Sequence, residues 1–368
     1  MKILMLVNWK IEYCIAAPTE KQPPDYYVAG QIYWFFRYFK HRPHVDVLDI
    51  RSFKWWEWFE QYKLRFYIIQ TLRALPKLKH YDLIISHGMQ SGVVLSLLRR
   101  WFKTKAKHLV FEIGSFNSAA ESGKALKFMQ YASKSIDGLI YHTGAQKSYY
   151  QLKFPWLAEK SEFIPFGADF EFFNPARQEA KTQGSEISIL CVGYAKRDWP
   201  TLFAAFSKLL ECNPNPNIKL KLIGKNDSPA NLIKNISNNI IFMPYIPIRQ
   251  LISEIKAADF CVLPLEYFLY SYGQMTLLQQ MALGKAVIAA HVPSLADYGY
   301  DNETLLFYQP GDSDDLAEKM MQLIKDENKR NQLGTAAAAS IKKEFNEEKM
   351  AGQVEKFINE LLGKSRKL

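Results

Sequence analysis

The chain has 368 residues, a mass of 42.6 kDa and a formal net charge of +10, with 48% hydrophobic and 23% charged residues. This is ordinary globular composition, which excludes a disordered or collagen-like chain, and the length predicts about two domains. The four cysteines are widely separated without a C-x-x-C pair, which argues against a disulfide framework and a zinc site. No apolar run approaches the roughly 18 residues of a membrane span, so we expect a cytoplasmic chain.

The positive charge is concentrated in the N-terminal half. Residues 1–180 contain 25 Lys and Arg against 16 Asp and Glu, whereas residues 181–368 contain 22 against 21. Seven of the eight tryptophans also lie in the first half, Trp199 being the exception. This asymmetry predicts two halves with different partners.

Short apolar runs typical of buried strands alternate with helical patterns along the whole chain. In the first half the strand-like runs are residues 2–8, 45–50, 83–86, 108–113 and 139–142, and a helical pattern covers 91–102. In the second half they are residues 187–192, 219–223, 240–243, 260–263 and 286–289. Such alternation is the sequence form of a parallel sheet covered by helices on both faces. We predict an α/β fold of two doubly wound, Rossmann-like domains.

The region between the halves has the composition of a linker. Gly167, Pro175 and Gly184 accompany a polar stretch of mixed charge, and a last amphipathic helix is predicted over Glu347–Leu362. We therefore predict an N-terminal domain over 1–166, a linker over 167–186, a C-terminal domain over 187–345, and a helix and tail over 346–368.

Three segments of the second half together resemble the retaining glycosyltransferases of family 4, also called group 1. They are FIPFGADFEFFNP at 163–175, ILCVGYAKRDWPTL at 189–202 and GQMTLLQQMALGKAVI at 273–288. The resemblance covers residues 163–325 and is weak over the first 160. It implies the GT-B architecture, in which two Rossmann-like domains face each other across a cleft. The N-terminal domain would bind the acceptor, and the C-terminal domain the nucleotide-sugar.

The residues of these segments suit a donor that carries phosphate. Gly193, Lys196 and Arg197 follow a predicted strand, at the edge of a sheet where open α/β folds bind ligands. The helix that begins near Gly273 would favour a phosphate through its N-terminal amides and dipole. The resemblance implies donor binding by Gly30, Gly193, Ser271, Tyr272, Gly273, Gln274, Met275, Thr276 and Gln279. A solvated loop and a simple helix cap are the structural alternatives for these residues.

The glycine loop departs from the family pattern in its cations. The family's arginine directly after the glycine is Tyr194 here, and its lysine five residues later is Trp199. We therefore assign the phosphate role to Arg197 first and to Lys196 second.

A second departure concerns the family's pair of glutamates, which fall on Ser271 and Gln279. The Gln279 amide offers both a donor and an acceptor, so it can still bond ribose hydroxyls. Ser271 cannot replace a carboxylate at the sugar. These departures bear on the identity of the donor more than on the fold.

In the first half, His87 and Glu112 follow predicted strands and would lie at strand carboxyl ends that face the cleft. Relatives often have a sugar-contacting histidine where this chain has Glu112. Either residue could contact the sugar or act as a base toward the acceptor, and a structural polar role is equally open. Gly30 takes the place of the family's first glycine loop, which approaches the donor phosphates.

Two aromatic and basic stretches, residues 33–42 and 51–66, suit an interfacial helix on anionic lipid. Single-stranded nucleic acid and a buried helix face are the alternatives. We favour the core for 33–42, and a membrane interface or acceptor surface for 51–66. The acidic residues at 312–315 resemble a metal motif, but their position before an apolar helical run favours a helix cap.

The leading prediction is a metal-independent, retaining glycosyltransferase without a cofactor. It would move a hexose from a nucleotide-diphospho-sugar to a lipid-linked or polysaccharide-precursor acceptor, on the inner face of an anionic membrane. No covalent nucleophile is implied by the family, so positioning and electrostatics would supply the catalysis. The alternative is a nucleotide-sugar-binding protein or inactive partner without turnover, and we expect no nucleic-acid partner.

Overall fold

The computed structural model of the protein describes residues 1–102, 104–113, 122–175, 186–213, 217–224 and 236–363. The chain divides into two compact units. Unit 1 comprises Met1–Pro165, Leu269–Tyr272 and Glu348–Leu368, and unit 2 comprises Phe166–Phe268 and Gly273–Glu347. Residues 176–185 of the predicted linker, residues 114–117 after Glu112 and the tail 364–368 lie outside the described residues.

Unit 1 is built on a parallel sheet of six strands. The strands of unit 1 are β1 (Lys2–Leu6), β2 (Glu12–Cys14), β3 (Tyr26–Val28), β4 (His44–Leu48), β5 (Leu83–His87), β6 (Lys107–Glu112), β7 (Gly138–Tyr141) and β8 (Ser161–Phe163). Strands β2 and β3 pair with each other in a separate two-stranded ribbon. The order across the main sheet is β4-β1-β5-β6-β7-β8. All five residues of β5 are buried, as expected of a central strand covered on both faces.

Six α-helices of unit 1 precede the second sheet along the described part of the chain. They are α1 (Lys54–Phe59), α2 (Ile68–Ala74), α3 (Met89–Trp101), α4 (Lys124–Ser133), α5 (Gln146–Lys153) and α6 (Pro155–Ala158). One hydrophobic cluster joins α3 and α4 to β6 and β7 through Val93, Met129, Val110 and Leu139. Helices α3 and α4 therefore pack on the sheet at β6 and β7.

Unit 2 repeats this architecture. Its strands are β9 (Ile187–Val192), β10 (Ile218–Ile223), β11 (Ile240–Met243), β12 (Phe260–Leu263), β13 (Val287–Ala290) and β14 (Leu306–Tyr308), in the order β11-β10-β9-β12-β13-β14. The helices that follow along the chain are α7 (Trp199–Cys212), α8 (Ile248–Ala257), α9 (Gln274–Ala282), α10 (Ser313–Lys325), α11 (Glu327–Lys343) and α12 (Glu347–Gly363). Two Rossmann-like parallel sheets, as predicted for the GT-B fold class, are thus confirmed.

Acidic side chains cap three helices of unit 2, namely Asp198 for α7, Asp312 for α10 and Asp326 for α11. The Asp198 carboxylate accepts the backbone N–H of Thr201 at 3.1 Å and so caps α7. The Asp312 carboxylate accepts the N–H groups of Asp314 and Asp315 at 2.9 and 3.0 Å and caps α10. The helix-cap interpretation of residues 312–315 is therefore confirmed.

The last helix, α12, packs on unit 1. The Glu355 carboxylate accepts the backbone N–H groups of Lys40 and His41 at 2.9 and 3.0 Å. On the other side of the helix, Phe357 and Leu361 approach Gly138 so closely that a Cβ there would lie 3.2 Å from each. The chain thus returns to the first sheet after completing the second.

The aromatic stretch 33–42 places four of its aromatic rings in the core of unit 1, whereas Lys40, His41 and Arg42 are exposed. Tyr33, Phe35, Phe36 and Phe39 are buried, and residues 34–38 form a 3₁₀ helix rather than an α-helix. The core interpretation is confirmed for Tyr33, Phe36 and Phe39 and is wrong for Lys40. In the described part of the chain, no helix is both long and apolar enough to cross a bilayer.

Candidate functional site

Each sheet reverses its strand order at one point. In unit 1 the order runs outward from β1 to β4 on one side and from β5 to β8 on the other. In unit 2 it runs from β9 to β11 and from β12 to β14. Open α/β sheets bind ligands outside the strand carboxyl ends at such a reversal. The two places to search are therefore the ends of β1 and β5, and the ends of β9 and β12.

Two loops are joined at the reversal in unit 2. Arg197, in the loop after β9, forms an antiparallel bridge with Leu265, in the loop after β12. The backbone N–H of Asp198 donates to Pro264 O at 3.0 Å. Leu265 also packs against Gly273, since a Cβ on that glycine would lie 2.6 Å from Leu265 Cδ1. The glycine loop and the start of α9 are thereby brought to the same edge of the sheet.

Arg197 is buried, with 5% of its surface exposed. Its Nε and Nη2 donate to Val192 O at 3.1 and 2.7 Å, and its Nη1 donates to Ala195 O at 3.1 Å. Three of its five N–H groups are therefore used to close its own loop. Gly193 has a φ of +92°, and a Cβ there would overlap the guanidinium, so only glycine fits above this side chain.

Lys196 is the exposed cation of the same loop. Its side chain is 46% exposed, and Nζ lies 3.5 Å from Oε2 of Glu266, itself 53% exposed. Its backbone has a φ of +57°, a left-handed conformation that costs a non-glycine residue energy. Such strain is concentrated at functional loops. The two cations predicted to bind phosphate thus have different surroundings: the Arg197 side chain is buried against its own loop, whereas the Lys196 side chain is exposed.

The start of α9 offers backbone amides more than side chains. Gly273, with a φ of +86°, is the N-cap residue. The side chain of Gln274 is buried, and its Nε2 donates to Ser294 O at 2.9 Å. The backbone N–H of Gln274 is therefore the group that could contact the nucleotide-sugar. Of the remaining predicted donor residues, Ser271 is buried, Met275 is exposed, and Tyr272, Thr276 and Gln279 are half-buried.

His87 occupies the reversal in unit 1, at the end of β5. Aromatic rings surround it, with ring centroids 4.8 Å away for Trp9, 5.6 Å for Trp34 and 6.0 Å for Phe111. Neither ring nitrogen has a hydrogen-bond partner among the described residues. Burial, with a smaller contribution from His142, lowers the pKa of His87 to about 3. The ring is thus neutral at pH 7, with one donor and one acceptor nitrogen.

Glu112 belongs to a second group of buried polar residues, at the carboxyl ends of β6 and β7. Glu112, His142, Thr143 and Gln146 are all fully buried. The His142 Nδ1–H donates to Ile164 O at 2.7 Å, and burial lowers the pKa of this histidine to about 4. Both polar atoms of the Gln146 amide have no partner in the described part of the chain.

An unpaired buried polar atom costs about 1–3 kcal/mol, so the His87 ring and the Gln146 amide, both without a partner among the described residues, call for an explanation, and a binding site is one. Sequence reasoning missed His142, Thr143 and Gln146. The strand predicted at residues 139–142 ends at Tyr141 in the structure, so a strand end placed one residue earlier would have put His142 and Thr143 directly after it, as for His87. Gly30 lies elsewhere, in a pocket formed by residues 23–42.

Comparison with known proteins identifies the class to which these loops belong. Residues 174–340 match the model of the family described as glycosyl transferases group 1. The match lies in the second half of the chain, where the motifs predicted a resemblance to this family.

The chain is similar to D-inositol 3-phosphate glycosyltransferases. That of Nocardia farcinica is 24% identical over 294 residues, which cover 73% of this chain and 64% of that protein. That of Corynebacterium diphtheriae is 24% identical over 287 residues, which cover 70% and 66%. The chain thus spans just under two thirds of the length of these curated relatives.

Solved structures are similar over almost the whole chain. Sucrose-phosphate synthase from Thermosynechococcus elongatus has a TM-score of 0.70 at 19% identity, covering 99% of this chain and 100% of that one. Anabaena HepE in complex with UDP-glucose has a TM-score of 0.66 at 14% identity, covering 98% and 100%. At these identities the likeness establishes the fold.

Proposed function

We propose that the chain is a metal-independent, retaining glycosyltransferase that moves a hexose from a nucleotide-diphospho-sugar to an acceptor. The observation that carries this proposal is the joining of the Arg197 loop, the loop after β12 and the start of α9 at one sheet edge. A donor diphosphate gains negative charge as the glycosidic bond breaks, so its site needs fixed cations and N–H donors. This edge offers both.

Within the donor site, Lys196 supplies the exposed charge and Arg197 holds the loop, offering its remaining N–H groups to the phosphates. The first backbone amides of α9 and the helix dipole add to the binding of the anion. The Gln279 amide bonds the ribose hydroxyls. The HepE complex with UDP-glucose makes UDP-glucose the first donor to test.

In unit 1, the neutral His87 and the buried Glu112 are the groups for a hydroxyl-rich substrate. A neutral imidazole both donates and accepts, which matches a sugar or inositol hydroxyl. Burial disfavours the charged form of His87, and the ring is therefore able to accept a proton only in an environment that compensates the charge. We assign it to orienting the acceptor or donor hydroxyls, with Glu112 as the candidate base.

The donor assignment is tested by thermal stabilisation with a panel of nucleotide-sugars, because a ligand that binds only the folded state must raise its melting temperature. We expect at least one uridine or guanosine diphospho-sugar to raise the Tm of the wild-type chain, and Lys196→Ala to reduce that shift. Lys147→Ala, a change in unit 1, is the matched control. The absence of a shift with every donor would overturn the donor site.

Turnover separates the enzyme from the binding protein that remains the second candidate. That candidate is favoured by Tyr194 and Ser271, which replace charged residues of the family. The donor that stabilises the chain should be converted to nucleoside diphosphate and a glycoside whose anomeric configuration, read by NMR, is that of the donor. A donor that raises the Tm but is not converted with any acceptor tested would show that the chain is a binding protein instead.

Residues 51–66 are the proposed contact with an anionic membrane that carries a lipid-linked or polysaccharide-precursor acceptor. Phe53, Trp55, Trp58 and Tyr62 are 80%, 69%, 50% and 63% exposed, and no residue of α1 is buried. Exposed aromatic rings beside Lys and Arg are typical of an interfacial segment.

Vesicle flotation tests this contact. Trp55→Ser combined with Trp58→Ser should reduce binding to vesicles containing phosphatidylserine and leave donor stabilisation unchanged. Trp101→Ser, which removes another exposed ring of unit 1, is the control. Equal binding of all three chains would contradict the assignment of the membrane contact to residues 51–66.

A further inference from the structure

Unit 1 contains a pocket whose lining includes Gly30, the residue expected near the donor phosphates, and whose other side chains the assignments above do not use. It has a volume of about 350 Å³ and is formed entirely by residues 23–42. Four aromatic residues and two arginines stand out in its lining, namely Tyr26, Tyr27, Tyr33, Trp34, Arg37 and Arg42. A volume of this size accommodates a monosaccharide with a substituent.

The aromatic wall of this pocket is held in place before any ligand binds. The rings of Tyr27 and Tyr33 lie 5.9 Å apart, and those of Tyr33 and Trp34 lie 6.3 Å apart. The Tyr33 hydroxyl donates to Pro24 O at 2.7 Å, which fixes its ring. Rings with an apolar face and a polar edge suit a ligand such as a sugar, which has both kinds of surface.

Trp34 adds a sign of function to this wall. Its φ is +47°, in the left-handed region that a bulky residue rarely adopts, and strained residues cluster at ligand-binding sites. The Trp34 ring also contacts the ring of His87, at a centroid distance of 5.6 Å. The pocket is thereby connected to the buried polar residues of unit 1.

The arginines give the pocket its charge. Arg37 is half-buried, its Nη2 donates to the Tyr38 hydroxyl at 3.0 Å, and its Cζ lies 4.7 Å from the centre of that ring. This stacking orients the guanidinium, and Arg42 is exposed beside it in the lining. The neighbouring Asp25 is not part of the lining, and burial raises the pKa of its carboxyl. Two planar cations in one pocket favour an anion bound by paired hydrogen bonds.

We propose that this pocket binds the anionic group, phosphate or carboxylate, of a saccharide acceptor. The proposal rests on the proposed glycosyl transfer and adds the class of acceptor: a negatively charged sugar or cyclitol. The aromatic wall receives the ring of the acceptor, Arg37 and Arg42 receive its charge, and the Trp34 contact directs the rest toward His87. Donor phosphates are assigned to the cations of unit 2, so the two anionic groups are held by different residues.

Calorimetric titration of the full chain tests the pocket directly, without turnover. The probes are glucose 6-phosphate, glucuronate, glucose and inorganic phosphate. Each anionic sugar is expected to bind at least about tenfold more tightly than glucose, since a charged hydrogen bond contributes roughly that factor. Comparison of the first two probes distinguishes phosphate from carboxylate. Inorganic phosphate binding as tightly as glucose 6-phosphate would overturn the role of the aromatic wall.

Variants assign the effect to the pocket. Arg37→Met and Arg42→Met should each weaken the anionic sugar about tenfold, whereas Arg37→Lys should restore part of the loss. Arg100→Met is the matched control, because Arg100 also stacks on a tyrosine ring of unit 1, that of Tyr131 at 4.0 Å, outside the pocket. Unchanged Tm values would show that the variants fold.

Two outcomes would overturn the proposal. One is equal binding of charged and neutral sugars by the wild-type chain. The other is a loss of UDP-glucose binding in Arg37→Met with no change for the anionic sugars, which would assign the pocket to the donor. Charge-selective sugar binding without any turnover would instead leave the pocket established and overturn the proposed transfer activity.

Discussion

Replacement of Arg197 by alanine is the change whose effect the structure defines most sharply. The variant removes three hydrogen bonds, from Nε and Nη2 to Val192 O and from Nη1 to Ala195 O. It also removes the guanidinium that lies directly beneath Gly193. The loop after β9 would thus lose its internal support at the point where the donor phosphates are proposed to bind.

The magnitude follows from the surroundings of the two carbonyl groups. Ala195 is exposed and Val192 is half-buried, so water can partly replace the lost donors. We therefore expect a cost of about 1 kcal/mol per bond, or about 3 kcal/mol in total. For a unit of this size, each kcal/mol lowers the Tm by about 2–4 °C, which predicts a decrease of about 6–12 °C.

Differential scanning calorimetry of the full chain, followed by nucleotide-sugar titration, measures both consequences. Arg197→Lys keeps the charge but cannot reproduce the planar fork, so it should lie between wild type and Arg197→Ala in Tm. Lys196→Ala removes an exposed cation and should change the Tm by less than about 2 °C while weakening the donor. If Arg197→Ala melts with the wild type and only donor binding is lost, the loop-holding role is refuted.

Three further predictions concern other features of the chain. Burial lowers the folded-state pKa of His87 and His108 to about 3 and of His142 to about 4, below the ordinary value near 6.5. The neutral histidines therefore stabilise the fold above pH 6.5, and this stabilisation is lost as the pH falls toward the folded-state pKa values. The free energy of unfolding in urea should be lower at pH 5.5 than at pH 7.0 by about 1 kcal/mol per histidine, and equal urea midpoints at the two pH values would contradict this linkage. Gly193→Ala should cost about 1–3 kcal/mol in urea unfolding, because a Cβ there is strained and overlaps the guanidinium, and wild-type stability would show that the loop adapts freely. Asp312→Ala should lower the free energy of unfolding by about 1 kcal/mol in thermal melting, because α10 loses its cap. Asp312→Asn keeps the cap and is the control, and equal stability of the two variants would contradict the capping role.

The central strands were predictable because burial on both faces leaves continuous apolar runs. Strands β9, β11 and β12 begin and end at the predicted residues. The four strands that were missed, β2, β3, β8 and β14, have three residues each. Runs this short have no periodicity of their own, and their strand conformation depends on the neighbour with which they pair.

Residues of the candidate site were predictable where chain position decides their place. His87 and Gly193 follow buried strands, so the topology alone brings them to sheet edges. The sequence does not reveal where a long side chain turns. Nothing in it indicates that the Arg197 guanidinium folds back onto its own loop, or that the Gln274 amide reaches Ser294 O, because both depend on tertiary packing.

Hydrogen–deuterium exchange with and without a stabilising nucleotide-sugar tests the central claim most directly, since it reads the donor site without requiring an acceptor. Saturating donor should slow exchange of backbone amides in residues 192–199 and 273–279, because ligand binding at these loops suppresses their local opening. Protection confined to other parts of the chain, with both segments unchanged, would contradict a donor site at the ends of β9 and β12.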